Sequence, residues 1–247
     1  MFITPNWPKP KNVRALCTTR LDGVSSAPFH SLNLATHVED NPKDVMQNRA
    51  LLRSQAQLPA EPIWLNQQHT DVAVALTSQT HFNKPPIADA AWTKSTNVIP
   101  VVMTADCLPI LITDNKGSCV AAIHAGWKGL ADKIVTKTIQ ALPVESADLM
   151  AWIGPAISVR QFEVGQDVFD EFVNHNAQNS AFFHEKRGSN QKYLADLPGL
   201  VSLEMQNIGV KQIYDSQLCS FENEEQFFSY RRDGKTGRMA SLIWIES

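Results

Sequence analysis

NVIPVVMTADCLPILITDNKGSCVAAIHAGWKG, residues 97–129, carries two apolar runs on either side of Asp114-Asn115-Lys116-Gly117. Asp, Asn and Gly in that arrangement signal a tight turn between antiparallel strands. If Asp114 and Gly117 flank a two-residue turn, paired residue numbers sum to 231; a loop closed by Thr113 and Ser118 gives the same register. Cys107 then faces His124. Directly opposed residues have Cβ atoms about 4.5–5.5 Å apart on one side of the sheet. At that separation a thiolate and an imidazole can share a metal ion or exchange a proton. Pro109 cannot donate to the ladder, so a bulge there would slip the register by one residue.

Outside this hairpin, strands and helices alternate to the end of the chain, which predicts one α/β (α+β) domain over residues 1–247. Further strands are expected at 13–19, 149–153, 210–214 and 239–245, with the hairpin region supplying 98–104, 108–113 and 118–123. Residues 20–41 form a long polar, turn-rich loop, a length that in compact domains usually signals function or disorder. Asn41 then caps a helix over 41–57, with Pro42 in its first turn and Val45, Arg49 and Leu52 on one side. Other helices are expected at 130–142, 165–176 and 198–208, the last stopped by Gly209. Leu130, Ile134 and Leu142 share a face of the first, and Val164, Val168 and Phe172 a face of the second.

The composition excludes several classes. Lys and Arg number 22 against 25 Asp and Glu, a net charge of −3 without a basic stripe, so no nucleic-acid partner is expected. No apolar run reaches the roughly 20 residues that cross a bilayer, and the N-terminal stretch lacks the charge-then-apolar pattern of a secretory signal. Cys17, Cys107, Cys119 and Cys219 form no CxxC pair or disulfide framework, which points to the cytoplasm.

Of the seven histidines, six besides His124 could offer a further ligand. His175 and His184 lie in polar surroundings and read as solvated; His81 sits beside a Lys-Pro-Pro turn and is weak. His30 and His37 lie in the long loop as site-lining candidates. His69 follows a short apolar strand and the Gln67-Gln68 pair, and as a third ligand it ranks only slightly ahead of His37.

TTRLDGVSSAP (18–28), SLNLATHVEDNP (31–42), QQHTD (67–71), TADCLPILITD (104–114) and HAGWKGL (124–130) come in a recognisable order. IGPAI (153–157), FEVG (162–165) and SYRRDGKTGR (229–238) follow. Together they resemble the bacterial YfiH/YlmD-like proteins, long labelled multicopper polyphenol oxidases or laccase-domain proteins. The resemblance spans nearly the whole chain and implies a four-layer αββα sandwich with mixed sheets. It also implies a zinc ion held by His69, Cys107 and His124, and so supplies the third ligand. Three departures stand out: Lys128 where arginine is common, Thr70-Asp71 in place of a frequent glycine, and Ser220 in place of a frequent threonine.

Two imidazoles and a thiolate leave one tetrahedral position of zinc open, as in catalytic sites, and such a site lowers the pKa of water toward about 7. The resemblance implies purine nucleoside phosphorolysis: phosphate displaces the base from adenosine, inosine, guanosine or methylthioadenosine. Attack at C6 of adenine, which is adenosine deamination, suits the same centre. Candidate anion contacts are Arg20, Lys128 and the Arg231-Arg232 pair, beside the turn formed by Gly126 and Gly129; Asn33 is a candidate for ribose or base. Asp89 and Asp106 are possible acid–base groups or turn formers, and Trp127 stacks on a base or packs its helix onto the sheet. The oligomeric state is not set by the sequence.

Three rivals share these residues. A zinc-free cysteine hydrolase would use Cys107 as nucleophile and His124 as base, consistent with editing of peptidoglycan precursors in the family. Copper outcompetes zinc for such ligands and would favour phenol oxidation, although a true laccase needs several coppers and more histidines. A structural zinc would need a fourth ligand from Cys17, Cys119 or Cys219; Cys119 has the opposite strand parity to His124 and should point away.

Overall fold

The computed structural model describes residues 1–186, 188 and 191–247. The chain begins with β1 (Phe2–Ile3), β2 (Val13–Thr18) and α1 (Pro42–Gln55), followed by β3 (Ala73–Leu76), β4 (Ala90–Thr93) and β5 (Val101–Thr104). The hairpin β6 (Leu108–Asp114) and β7 (Val120–Ala125) leads into α2 (Trp127–Ala131), α3 (Ile134–Ala141) and β8 (Leu149–Ile153). Then come β9 (Glu163–Gly165), α4 (Gln166–His175), β10 (Phe183–Glu185), β11 (Lys192–Ala195), α5 (Leu197–Asn207), β12 (Gln212–Asp215), α6 (Tyr230–Asp233) and β13 (Met239–Ile245). Two short 3₁₀ turns, Ser146–Asp148 and Ala177–Phe182, complete the path.

A mixed sheet in the order β12-β8-β6-β7-β4-β3 packs against an antiparallel sheet in the order β1-β2-β13-β5. Side-chain alternation divides the strands between three cores. Leu111, Val120, Ala122 and Trp152 of the first sheet meet Val13, Val102, Met239 and Ile243 of the second in the layer between them. On the outer side of the mixed sheet, Ile110, Ile112 and Ile123 carry Ile134, Val135 and Ile139 of α3 and Leu200 and Met205 of α5. Outside the antiparallel sheet, Leu16, Met103 and Leu242 pack with Leu52 of α1 and with Leu32, Leu34 and Trp64 from the loops. The resulting order is helix, sheet, sheet, helix, the αββα sandwich that the resemblance implied. A smaller antiparallel sheet, β10-β11-β9, stands beside it.

Local chemistry explains the element boundaries. The Asn41 side chain accepts from Lys43 N at the start of α1, and Gly209, at φ +97°, follows α5. The single helix expected at 130–142 is instead two, because Lys133 takes a left-handed conformation at φ 70° between α2 and α3. Leu130, Ile134 and Leu142 are nevertheless all buried. Strands β3, β4 and the small sheet escape the sequence pattern, and the apolar run before His69 makes only isolated bridges, Ile63 to Pro100 and Asn66 to Ile87.

The hairpin differs from the expected register. Pro109 faces His124 and Thr113 faces Val120, so paired numbers sum to 233 rather than 231. The Asp114 carboxylate accepts from the backbone N–H groups of Lys116, Ser118 and Cys119, and Gly117 turns at φ +64°. These bonds satisfy donors that a tighter hairpin would have placed in the ladder, leaving a longer loop. A shift of two residues preserves side-chain parity. His124 therefore still points, with Val120 and Ala122, into the layer between the sheets, and Cys107 lies diagonal to it rather than opposite.

Candidate metal centre

The centre forms where three chain segments meet at the end of that layer. His124 is the penultimate residue of β7 and is 4% exposed. Cys107 occupies the turn between β5 and β6. The preceding residue, Asp106, adopts φ 102°, a conformation rare outside glycine, and the surrounding bonds hold it there. Its carboxylate accepts from Ser220 Oγ at 2.7 Å and Arg231 N at 2.7 Å, while its carbonyl accepts from Ile157 N. Asp106 thus sets the direction of Cys107. Ser220, one of the departures from the family pattern, keeps the hydroxyl that does this.

His69 arrives on a separate loop. The Gln67 amide donates to Met103 O and accepts from Met103 N, both at 2.8 Å, and so completes the free edge of β5 as a paired strand would. His69 itself is left-handed at φ 60°. Asp89, fully buried just before β4, stabilises this turn by accepting from the backbone N–H groups of Gln68, His69 and Thr70 and from Thr70 Oγ1. The same carboxylate accepts from His124 Nδ1 at 2.7 Å. Asp89 is therefore neither a turn former alone nor placed as an acid–base group. It joins two of the three site segments and leaves His124 Nε2 for the centre.

The ligand atoms of His69, Cys107 and His124 all lie within 4.8 Å of one another. Cys107 Sγ and His69 Nε2 are 3.6 Å apart, and the two imidazoles meet edge to face with ring centroids at 4.8 Å. Two arms of a tetrahedral zinc site, with bonds of about 2.3 Å to sulfur and 2.0 Å to nitrogen, span about 3.6 Å. The set also has the carboxylate behind one imidazole that metal-ligating histidines usually have. Gly126 makes room: a Cβ there would stand 2.4 Å from His69 Cδ2 and 3.1 Å from Cys107 Sγ. The residues fit a single ion with a mixed nitrogen and sulfur donor set. Cys17, Cys119 and Cys219 are buried elsewhere, and among the described residues no fourth protein ligand joins the group.

The electrostatics couple the same residues. Burial alone would push the Cys107 thiol up, but the His124 and His69 imidazoles outweigh it and bring its pKa down to about 6. Burial likewise disfavours a charged His124, yet the Cys107 thiolate and the Asp89 carboxylate raise its pKa to about 9. Burial opposes charge on Asp89 too, and the bonds from His124 and Thr70 hold it at about 2.

The other sequence candidates have varied positions. Arg20 donates to His30 O and Glu224 O and stacks 4.7 Å over Phe228, bracing loops. Asn33 is fully buried, bonding Ala35, Asp40 and Arg238 N, so its side chain braces a turn rather than facing a ligand. Lys128 is exposed on α2, 5.6 Å from the Trp127 ring, and Trp127 packs against the outer core. Arg231 extends along Phe162 and donates to Glu163 O. His37, in the long loop, senses the charges of Arg238 and His124 after burial, which is the largest influence lowering its pKa. Nothing in the sequence sets Arg238 apart from Arg231 and Arg232; its position beside the cysteine turn brings it forward. A cavity of about 540 Å³ around Arg49, Trp64 and Phe82 shares no residue with the centre.

Residues 14–246 match the family model described as multi-copper polyphenol oxidoreductase laccase. The chain belongs to the YfiH-like laccase-domain family. Two relatives bear out this membership along the full length. One is a Haemophilus influenzae protein named purine nucleoside phosphorylase, 44% identical, with 99% of each chain covered. The other is an Escherichia coli protein named purine nucleoside phosphorylase YfiH, 43% identical over 99% of this chain and 98% of its own. A crystal structure of a DUF152 protein from Neisseria meningitidis superposes with TM-score 0.94 at 45% identity, covering 100% and 99% of the two chains. The family's description speaks of several coppers; among the described residues His69, Cys107 and His124 form the one such cluster. No helix among them is long and apolar enough to cross a membrane.

Proposed function

We propose that the chain is a zinc-dependent purine nucleoside phosphorylase acting on adenosine, inosine, guanosine and methylthioadenosine, with an accompanying adenosine deaminase activity. The observation that carries this reading is a cluster of three protein donors, with no fourth among the described residues, in a chain whose full-length relatives are named for phosphorolysis. In phosphorolysis a phosphate oxygen bonds to ribose C1′ as the C1′–N9 bond breaks. The base leaves with that electron pair and acquires a proton, giving free purine and ribose 1-phosphate. In deamination, water replaces the C6 amino group and ammonia departs.

His69, Cys107 and His124 would hold the ion, which would supply a Lewis acid beside the bound substrate. The remaining work belongs to the chain itself. Asp89 accepts the Nδ1 proton of His124, fixing the tautomer whose Nε2 lone pair faces the centre. Through its bonds to residues 68–70 it also fixes His69 against rotation of its loop. The four cysteines are unpaired, which suits the cytoplasm.

The test is to incubate metal-quantified protein with adenosine, with and without phosphate, and follow adenine, ribose 1-phosphate and inosine. Phosphate-dependent ribose 1-phosphate, abolished in Cys107→Ala, is the expected result. Full turnover by Cys107→Ala would overturn the reading.

One observation favours a second reading. Cys107, His124 and Asp89 form the sequence of nucleophile, base and orienting carboxylate found in cysteine hydrolases. Protein that purifies without metal, hydrolyses an amide or ester and loses this activity when Cys107 is alkylated would establish it instead.

A further inference from the structure

The run SYRRDGKTGR holds three arginines that serve different ends. Arg232 is an internal brace, donating to Ser220 O, Phe221 O, Phe227 O and the Asp233 carboxylate. Arg231 turns its side chain toward Glu163 O. Arg238 immediately precedes β13, and the pairing of Met239 with Thr104 sets it beside the turn that presents Cys107. It is half-buried, and its Nη1 donates to Thr236 O and Gly237 O, both at 2.9 Å. Its backbone N–H is fixed by Asn33 Oδ1 at 3.0 Å, and the Tyr230 ring lies 5.8 Å from its guanidinium carbon.

What Arg238 lacks is a counter-ion. Among the described residues no carboxylate reaches ion-pair distance of its guanidinium, and no side-chain or backbone acceptor takes its Nε–Nη2 edge. A partly desolvated cation costs free energy unless an anion meets it. Burial lowers its pKa, opposed most by the Cys107 thiolate and then by Asp106, so the guanidinium and the metal centre share one electrostatic neighbourhood. The Nε–Nη2 edge is the fork that guanidinium groups offer to planar or tetrahedral oxyanions in bidentate fashion. Both carbonyl bonds fall on Nη1 and therefore fix the group's orientation while leaving that fork available.

We propose that the Nε–Nη2 edge of Arg238 anchors a phosphoryl oxyanion beside the metal centre. The assignment of that anion as the attacking co-substrate rests on the phosphorylase reading; the anchor itself does not. Inorganic phosphate and adenosine 5′-monophosphate share the chemistry and differ in source. The test titrates each into the zinc-loaded full chain by calorimetry, for wild type, Arg238→Gln and Arg238→Lys, with metal content and melting temperature measured on every sample. Wild type should bind one inorganic phosphate. Arg238→Gln should weaken that binding roughly tenfold to a hundredfold at unchanged metal content, the loss expected for a charge-assisted pair. Arg238→Lys, which keeps charge without the fork, should fall between. Tighter, Arg238-dependent binding of the nucleotide alone would assign the anchor to a nucleotide phosphate and exclude free phosphate.

Wild type that fails to bind either anion, or an Arg238→Gln protein that binds both as wild type does, overturns the anchor. If Arg238→Gln does not fold, an Arg238→Lys protein with wild-type affinity decides against it and a weakened one decides for it. The two readings separate cleanly. Arg238-dependent phosphate binding without ribose 1-phosphate formation keeps the anchor and removes the phosphorylase. Ribose 1-phosphate formation with an unchanged phosphate KM in Arg238→Gln does the reverse.

Discussion

Adding one methyl group at Gly126 separates the metal centre from the fold that carries it. Gly126 has φ −71° and ψ 166°, an extended backbone that alanine adopts without strain. The new Cβ would lie 2.4 Å from His69 Cδ2, 2.9 Å from His69 Nε2 and 3.1 Å from Cys107 Sγ. Carbon atoms in comfortable contact stand about 3.5–4.0 Å apart, so the imidazole must retreat by about 1 Å. His69 is exposed and can swing outward without disturbing the core. Metal–ligand distances tolerate only about 0.2 Å, so that retreat removes one of three ligands. Loss of a supporting residue alone typically costs 10–100-fold in metal affinity, and loss of a ligand costs at least the upper part of that range. Gly126→Ala should therefore bind zinc about 100-fold more weakly, close to 2.7 kcal/mol, while the metal-free protein changes stability by under about 1 kcal/mol. Chelator competition with metal quantified by mass spectrometry reads the first quantity, and a circular-dichroism melt reads the second. A Gly126→Ala protein that holds zinc within about threefold of wild type would refute the packing on which this rests.

Asp89→Asn should weaken metal binding by about 10–100-fold and destabilise the metal-free protein by about 3 kcal/mol, because one carboxylate accepts from His124, Thr70 and three backbone N–H groups. An unchanged chelator titration would count against its orienting role. Asp89 has a folded pKa of about 2 against an ordinary value of 3.8. Because that pKa is depressed, its contribution of about 2 kcal/mol is present above about pH 4 and lost as pH falls toward 2. Denaturant midpoints of metal-free protein across that window should show this slope, and Asp89→Asn should lack it. In metal-free protein Cys107 should react with iodoacetamide at half its maximal rate near pH 6, about where the His124 imidazolium holds the thiolate, and His124→Ala should move that midpoint upward. A midpoint near the ordinary thiol value of about 8.5 would show that the pair is not coupled.

Parity was legible where register was not. The turn residues at 114–117 announced the hairpin, but the Asp114 side chain captures the N–H groups of Ser118 and Cys119 and lengthens the loop. Two residues of slip return every side chain to its original face, so Cys107 and His124 still meet. His69 could not be separated from His37 by spacing, because its position depends on Gln67 completing the edge of β5 and on Asp89 gathering residues 68–70. A single aspartate before a short strand gives no such signal. Strands β3 and β4 are each four residues long and rich in alanine, which favours helix in isolation. They become strands by pairing with each other and with β7. Arg238 is one of three similar arginines; the pairing of β13 with β5 sets it beside the cysteine turn, which Arg231 meets only through its backbone N–H.

The most direct measurement is X-ray absorption at the metal edge of the zinc-loaded chain. One sulfur scatterer at about 2.3 Å, two imidazole nitrogens at about 2.0 Å and one further light atom that exchanges with added ligand are the expected shell. A shell with no sulfur, with two sulfurs, or closed by four protein donors would contradict a centre built from His69, Cys107 and His124 alone.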